Sequence, residues 1–202
     1  MWFESRPGAG SAADRHSVIP HQMPPPTFEV LPGMPPYGPD AEPFTATGQG
    51  AHREGFVVRF IAPDGGSWVG NFQRGLSSFD DVYAHPNERD VLVIAGGQGY
   101  MVDPADRSKR AYFGAAIDAA LRRDDPPMVI FGNGLWFEAF DASGLRWRSD
   151  RISWDGMQSV ALVGNQITGE AWSLEDRWMP FTVSADTGKF VGGSYCGPAS
   201  AG

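Results

Sequence analysis

Val91-Leu92-Val93-Ile94-Ala95-Gly96-Gly97-Gln98-Gly99-Tyr100-Met101-Val102-Asp103 is two apolar runs joined by a pair of glycines. β-Branched side chains lose rotamer freedom in a helix and pack well on a pleated surface, so both runs read as strands. A two-residue connection between antiparallel strands needs positive φ, which glycine adopts without steric cost. Gly96-Gly97 therefore reads as a hairpin turn. It does not read as a phosphate loop, because no helix carrying Lys-Ser or Lys-Thr follows it.

The same grammar recurs. Val129-Ile130-Phe131-Gly132-Asn133 and Leu162-Val163-Gly164-Asn165 end in comparable turns, with Gly96, Gly132 and Gly164 spaced 36 and 32 residues apart. A second element follows each time, an apolar strand entering an Asp-led turn: Met101-Val102-Asp103-Pro104, Ala139-Phe140-Asp141-Ala142-Ser143-Gly144, and Val183-Ser184-Ala185-Asp186-Thr187-Gly188. Aspartate bonds its own backbone two residues on, and glycine takes the left-handed position. Two hairpins per unit suit an antiparallel sheet of about four strands, the unit from which propellers are assembled. The expected fold is mostly β: antiparallel hairpin units in a small propeller-like or sandwich arrangement, with one short helix.

The stretch Val129–Trp147 resembles one blade of the PQQ-type β-propeller repeat, with Gly134, Ala139, Asp141, Gly144 and Trp147 at the repeat's turn glycine, alanine, aspartate, glycine and tryptophan. The resemblance implies a blade-like sheet. It does not imply quinone binding, which in that family needs a full ring of blades and dedicated cofactor residues. Ser67-Trp68-Val69-Gly70-Asn71-Phe72, Ser153-Trp154-Asp155-Gly156 and Pro180-Phe181-Thr182-Val183 with Gly192-Gly193 are similar to segments of uncharacterised bacterial β-rich proteins. That likeness implies no activity.

Outward from these units the chain divides into four parts. Residues 1–23, rich in Pro, Gly, Ala and Ser, read as a disordered tail. Residues 24–54 read as a proline-rich strap and linker. Its large side chains Phe28, Leu31, Met34, Tyr37 and Phe44 are expected to bury against the body, since prolines pre-set an extended backbone at low entropic cost. Residues 55–196 form the β domain and 197–202 a short tail. Within the domain, Gly114–Arg123 reads as the helix, because Ala, Ile and Leu recur there and Asp124-Asp125-Pro126-Pro127 stops it.

Composition narrows the function classes. The chain has 202 residues with a formal net charge of −8, only two lysines (Lys109 and Lys189), and arginines that form no stripe. A nucleic-acid surface gathers basic residues on one face, so no nucleic acid is expected as a partner. The lone Cys196 permits no intrachain disulfide and has no nearby His or Lys to activate it. No apolar run reaches the ~18 residues of a membrane span, and the first residues lack a secretory pattern. The expectation is a cytoplasmic protein with no membrane partner.

No residue set specifies chemistry. The four histidines, His16, His21, His52 and His85, have no metal-ligand spacing, and no cofactor or metal is expected. Asp103, Asp106, Asp141 and Asp186 lack the alternating spacing of a calcium loop and read as turn residues. His85, followed by Pro86, reads as a surface turn residue. With Asp81 (or Asp80) it is the one catalytic pair to weigh, for a small hydrolase or isomerase. Trp136, Trp147, Trp154, Trp172 and Trp178 crowd the last third of the chain. Most read as core, with Trp154 the best candidate for partial exposure. The function expected is recognition of a protein partner, of inhibitor or immunity type, through exposed loop groups: Trp154, Asp155, Asp124, Asp125 and Glu175. A carbohydrate or small-molecule binder using the clustered tryptophans is the alternative.

Overall fold

The computed structural model describes residues 28–47, 50, 52–62 and 65–197. The expected tail over 1–23, the first residues of the strap and the end of the chain lie outside the described residues. Every described element is a strand, and the strands make four four-stranded sheets consistent with propeller blades.

The first sheet contains β1 (Phe28–Leu31), β2 (Glu42–Phe44), β3 (Phe56–Ile61) and β4 (Ser67–Phe72), in the order β1-β3-β4-β2. Only β2 lies parallel to its neighbour, β4. The other three sheets are antiparallel meanders in chain order. The second holds β5 (Asp81–Ala84), β6 (Val91–Ala95), β7 (Gln98–Asp103) and β8 (Asp106–Phe113). The third holds β9 (Ala119–Asp124), β10 (Pro127–Gly132), β11 (Phe137–Asp141) and β12 (Gly144–Arg148). The fourth holds β13 (Met157–Val163), β14 (Gln166–Ser173), β15 (Arg177–Ser184) and β16 (Phe190–Gly192).

Strand alternation explains how the sheets stack. In β6, Val91, Val93 and Ala95 join a core cluster with Phe44, Phe60 and Phe72 of the first sheet. The intervening Leu92 and Ile94 join another with Val129 and Phe131 of the third. In β10 the intervening Met128 and Ile130 pack with Ile167, Phe181 and Val183 of the fourth. A strand buried on both faces needs apolar residues at every position. That is why these two segments are unbroken apolar runs. Each such side chain contributes roughly 1.5–3 kcal/mol on full burial.

The turns agree with expectation at two of three glycine pairs. Gly96 and Gly97 both have positive φ, 52° and 80°, and Ala95 faces Gln98 across the turn. Gly164 has φ 58°, and Val163 faces Gln166. At the third, Gly132 is still inside β10, and Gly134 takes the positive φ of 76°. Asn133 shapes that longer turn by accepting the Leu135 and Trp136 N–H groups, both at 3.1 Å.

The expected helix over 114–123 is absent. Ala119–Asp124 is β9, paired with β10 from Gly132↔Ala119 to Pro127↔Asp124. Gly114 and Ala116 have positive φ, 55° and 54°, which interrupts a helix at its start. Helix propensity at Ala and Leu is worth tenths of a kcal/mol per residue, less than a ladder of cross-strand bonds with apolar burial on both faces.

The strap is also corrected. Rather than lying across the body, its two ends are edge strands of the first sheet. Phe44 is 1% exposed and stacks on Phe72 at 4.4 Å, and Phe28 packs against the same core. Between them the chain loops out, leaving Met34 exposed and Tyr37 91% exposed.

Candidate functional site

His85 follows β5, and the structure buries it to 2% exposure, contrary to the surface position expected from Pro86. Its backbone N–H donates to the Asp90 carbonyl at 2.9 Å, closing the loop inward. Its Nδ1 accepts the Asn87 N–H at 3.1 Å, so the neutral ring carries its proton on Nε2. Nε2 is buried without a hydrogen-bond partner, and the ring meets Phe140 edge-on at 6.4 Å. Burial pushes the His85 pKa down, against the opposing pull of Asp90. Asp81 sits at the opposite end of β5, where its carboxylate accepts the Val82 N–H and the Tyr83 hydroxyl, the latter at 2.6 Å. The neighbouring Asp80 accepts the Gly96 N–H and pairs with Arg74. The structure therefore does not bring His85 and these carboxylates together as base and orienter. The Nδ1 lone pair of His85 is committed to backbone.

The expected binding residues fall in two places. Asp124 and Asp125 close the β9–β10 hairpin. Asp124 lines a narrow cleft of about 200 Å³ between the second and third sheets, beside His85, Glu88 and Arg122. Trp154 and Glu175 instead share a cleft of about 320 Å³ at one end of the fourth sheet. Asp155 is exposed beside Trp154.

Three segments build that second cleft. The first is the turn before β13, which carries Trp154. Arg151 lies 5.6 Å from the Trp154 ring and 4.6 Å from the Tyr195 ring, and its guanidinium also donates to the Ser153 and Trp154 carbonyls at 2.9 and 2.6 Å. A cation over two aromatic faces, tied to backbone, holds Trp154 in one orientation. The second is the β14–β15 connection, Leu174-Glu175-Asp176, where the Asp176 N–H donates to the Ser173 carbonyl at 3.0 Å and Asp176 has φ 55°. This short turn leaves Leu174 66% exposed. Glu175 pairs with Arg177, and the Asp176 carboxylate accepts the Trp172 indole N–H at 3.3 Å. The third is the chain after β16, where Ser194 and Cys196 line the cleft. Met179 of β15 forms part of its wall and is itself exposed.

Trp154 is half-buried, but among the described residues the most exposed tryptophan is Trp178, at 41%. Pro180, two residues on, has no N–H to give a neighbouring strand, but its carbonyl still accepts the Gly193 N–H at 2.9 Å, so the sequence around Trp178 does not mark where pairing stops. Trp147 is core, donating its indole N–H to the Ala185 carbonyl at 2.9 Å. Trp136 and Glu138 share a face as alternation requires, with the indole N–H 3.3 Å from the carboxylate. Among the described residues, no group of three His, Cys, Asp or Glu converges where it could hold a metal ion.

No family model matches the chain, and no curated protein matches it. Among solved structures it is similar to one described as the crystal structure of the eukaryotic initiation factor, at 9% sequence identity and a TM-score of 0.39. The similarity covers 69% of this chain and 40% of that one, so the chain spans less than half the length of the structure it matches.

Proposed function

We propose that this chain is a non-catalytic recognition module, a propeller-type stack of four blade-like sheets that binds a protein partner through the Trp154 cleft. One observation carries the reading. Trp154, Leu174 and Met179, apolar groups from the turn before β13, the β14–β15 connection and β15, converge on a cleft that Glu175 also lines, with Trp154 clamped by Arg151 and the exposed Asp155 next to it in the chain. A rigid aromatic in a partly desolvated pocket with exposed apolar neighbours has the anatomy of a binding anchor. The net charge of −8 favours a basic partner, as an inhibitor or immunity-type protein would meet.

The stack supports the blade reading over a two-sheet sandwich, since both middle sheets are buried on two faces. The chain is further proposed to act in the cytoplasm, on neither nucleic acid nor membrane.

The test is capture of partners from the native lysate by the wild-type chain and by Leu174→Glu, with mass spectrometry. Leu174 is exposed, so its substitution leaves folding intact. A protein retained by the wild type and lost by the variant supports the reading. Equal capture by both removes the cleft from recognition.

A carbohydrate reading has one observation in its favour: Trp172 and Trp178 stand directly opposite each other on one face of the fourth sheet. Quenching of tryptophan fluorescence by a glycan panel, abolished by Trp178→Ala, would favour it.

A further inference from the structure

We infer that the cleft binds an extended, basic peptide by strand addition to the open edge of β15 at Trp178. This inference rests on the recognition reading above and names its mode and partner chemistry.

The edge is defined by hydrogen-bond alternation. In a strand, the N–H and C=O of one residue point to the same edge, and successive residues alternate. The Pro180 carbonyl accepts the Gly193 N–H at 2.9 Å, and the Ser184 N–H donates to the Lys189 carbonyl at 2.8 Å. Even-numbered residues of β15 therefore face β16. On the other side, the Trp172 N–H and C=O are bonded to the Gly156 carbonyl and the Trp154 N–H, at 3.1 and 3.3 Å. They thus point away from Trp178, its register partner. Trp178 presents both its backbone groups to the edge that β16 would cover.

β16 does not reach it. The ladder runs only from Val183↔Phe190 to Phe181↔Gly192. The chain then departs, as the Ser194 and Tyr195 N–H groups both bond the Ile152 carbonyl, at 2.9 and 3.0 Å. Gly193 makes the departure possible. It has φ 82°, and a Cβ there would lie 2.6 Å from the Ile152 oxygen. The cleft adjoins this split: Gly193 and Ser194 of the departing chain line it, as do Arg177 and Met179, the neighbours of Trp178.

An exposed edge with unpaired backbone groups accepts an extended peptide. A strand added opposite Trp178 continues the line of β16, antiparallel to β15. Its residue opposite Trp178 exchanges backbone bonds. The next residue projects onto the Met179 side, against Trp154 and Leu174. Charge selects the flanks. Among the described residues Asp155, next to Trp154, and Asp176, next to Glu175, have no ion-pair partner, whereas Arg177 is paired with Glu175 and Arg151 is occupied by rings and carbonyls. The ligand is therefore an extended segment with an apolar side chain flanked, at alternate positions, by lysine or arginine.

The probe is the capped peptide Thr-Lys-Thr-Leu-Thr-Lys-Thr, titrated to about millimolar into the whole chain and followed by amide and indole NMR shifts. The expected result is saturable movement of the Trp178 amide and the Trp154 indole. N-methylation of the two threonines flanking Leu should weaken binding at least about tenfold, from lost backbone bonds. Replacing Leu by Asp, or both Lys by Glu, should weaken it at least as much. Undiminished binding of the N-methylated peptide, lost in Leu174→Glu, would overturn strand addition while leaving the recognition reading intact. Absence of shifts at Trp178, or shifts located elsewhere, overturns the inference. So does movement of the Trp178 amide with protein concentration alone, which would place a second copy on the edge.

Discussion

The indole N–H of Trp147 donates to the main-chain carbonyl of Ala185 at 2.9 Å, tying the third sheet to a turn of the fourth. The first sheet is tied to the second in the same way: Trp68 donates to the Pro104 carbonyl, also at 2.9 Å. In both cases a buried tryptophan on one sheet reaches the Asp-led turn of the next. The large ring fills the inter-sheet gap while its polar tip satisfies a buried carbonyl. Trp147→Phe should keep most of the apolar burial and orphan that carbonyl. The expected loss is about 1–3 kcal/mol of unfolding free energy, read by denaturant titration. Trp68→Phe should lose a similar amount, and the double variant should lose about the sum, because the interfaces are separate. A loss below about 0.5 kcal/mol for both would show that the bonds do not hold the stack.

Phe44 and Tyr37 make a second test, since both belong to the proline-rich segment and only one is buried. Phe44→Ala should cost roughly 3–5 kcal/mol, as expected for a large ring removed from a packed core. Tyr37→Ala should stay within about 0.5 kcal/mol of wild type. Equal melting temperatures for the two variants would refute the anchoring role of β2.

The Gly96-Gly97 turn sits against Ser77 and Ile117, so a Cβ at Gly97 meets both unfavourable backbone geometry and the Ser77 Oγ. Gly164, with φ 58°, opens to empty space, so a Cβ there meets backbone strain alone. Gly164→Ala should cost about 1–2 kcal/mol, and Gly97→Ala distinctly more. Equal costs would mean that Ser77 and the Ile117 backbone both move aside freely.

His85 sets a pH dependence. Burial disfavours its imidazolium and depresses the folded-state pKa below the ordinary 6.5. Its contribution to stability is therefore complete above about pH 6.5 and is lost as pH falls through the folded-state value. Asp141 acts in a separate, more acidic window. Hydrogen bonds from Ser143 and the Arg146 guanidinium hold its carboxyl below the usual carboxylate range, so its contribution is lost only at lower pH. Unfolding free energy should decline between pH 7 and pH 5 in the wild type and decline less in His85→Gln. Parallel curves for the two would exclude His85 as the source.

The acidic groups named from sequence should separate by position. Asp155→Lys and Glu175→Lys, beside the Trp154 cleft, should slow association with a captured basic partner, an effect that shrinks as salt rises. Asp124→Lys and Asp125→Lys, on the β9–β10 hairpin, should leave it near wild type. Equal slowing from both pairs would point to a whole-molecule field rather than a local rim.

The hairpins were legible because a turn's backbone demand is local. Gly96-Gly97 and Gly164 take the positive φ that a two-residue turn demands, and the β-branched apolar runs of β6 and β10, each ending at a glycine turn, read as strands. The blade-like sheets follow from those two facts. What local energetics could not decide came from partners distant in sequence. Ala119–Asp124 has helical composition, yet β10 supplies a ladder that outweighs the small propensity differences. His85 looks like a surface turn residue, but its N–H bond to Asp90 turns the ring inward onto Phe140, a contact 55 residues away along the chain. Trp178, like its neighbours, reads as an ordinary strand residue. Its open edge exists only because β16 is short and Ile152 captures the chain beyond Gly193. Pairing that ends early is a property of the assembled sheet, and no window of sequence around Trp178 contains it.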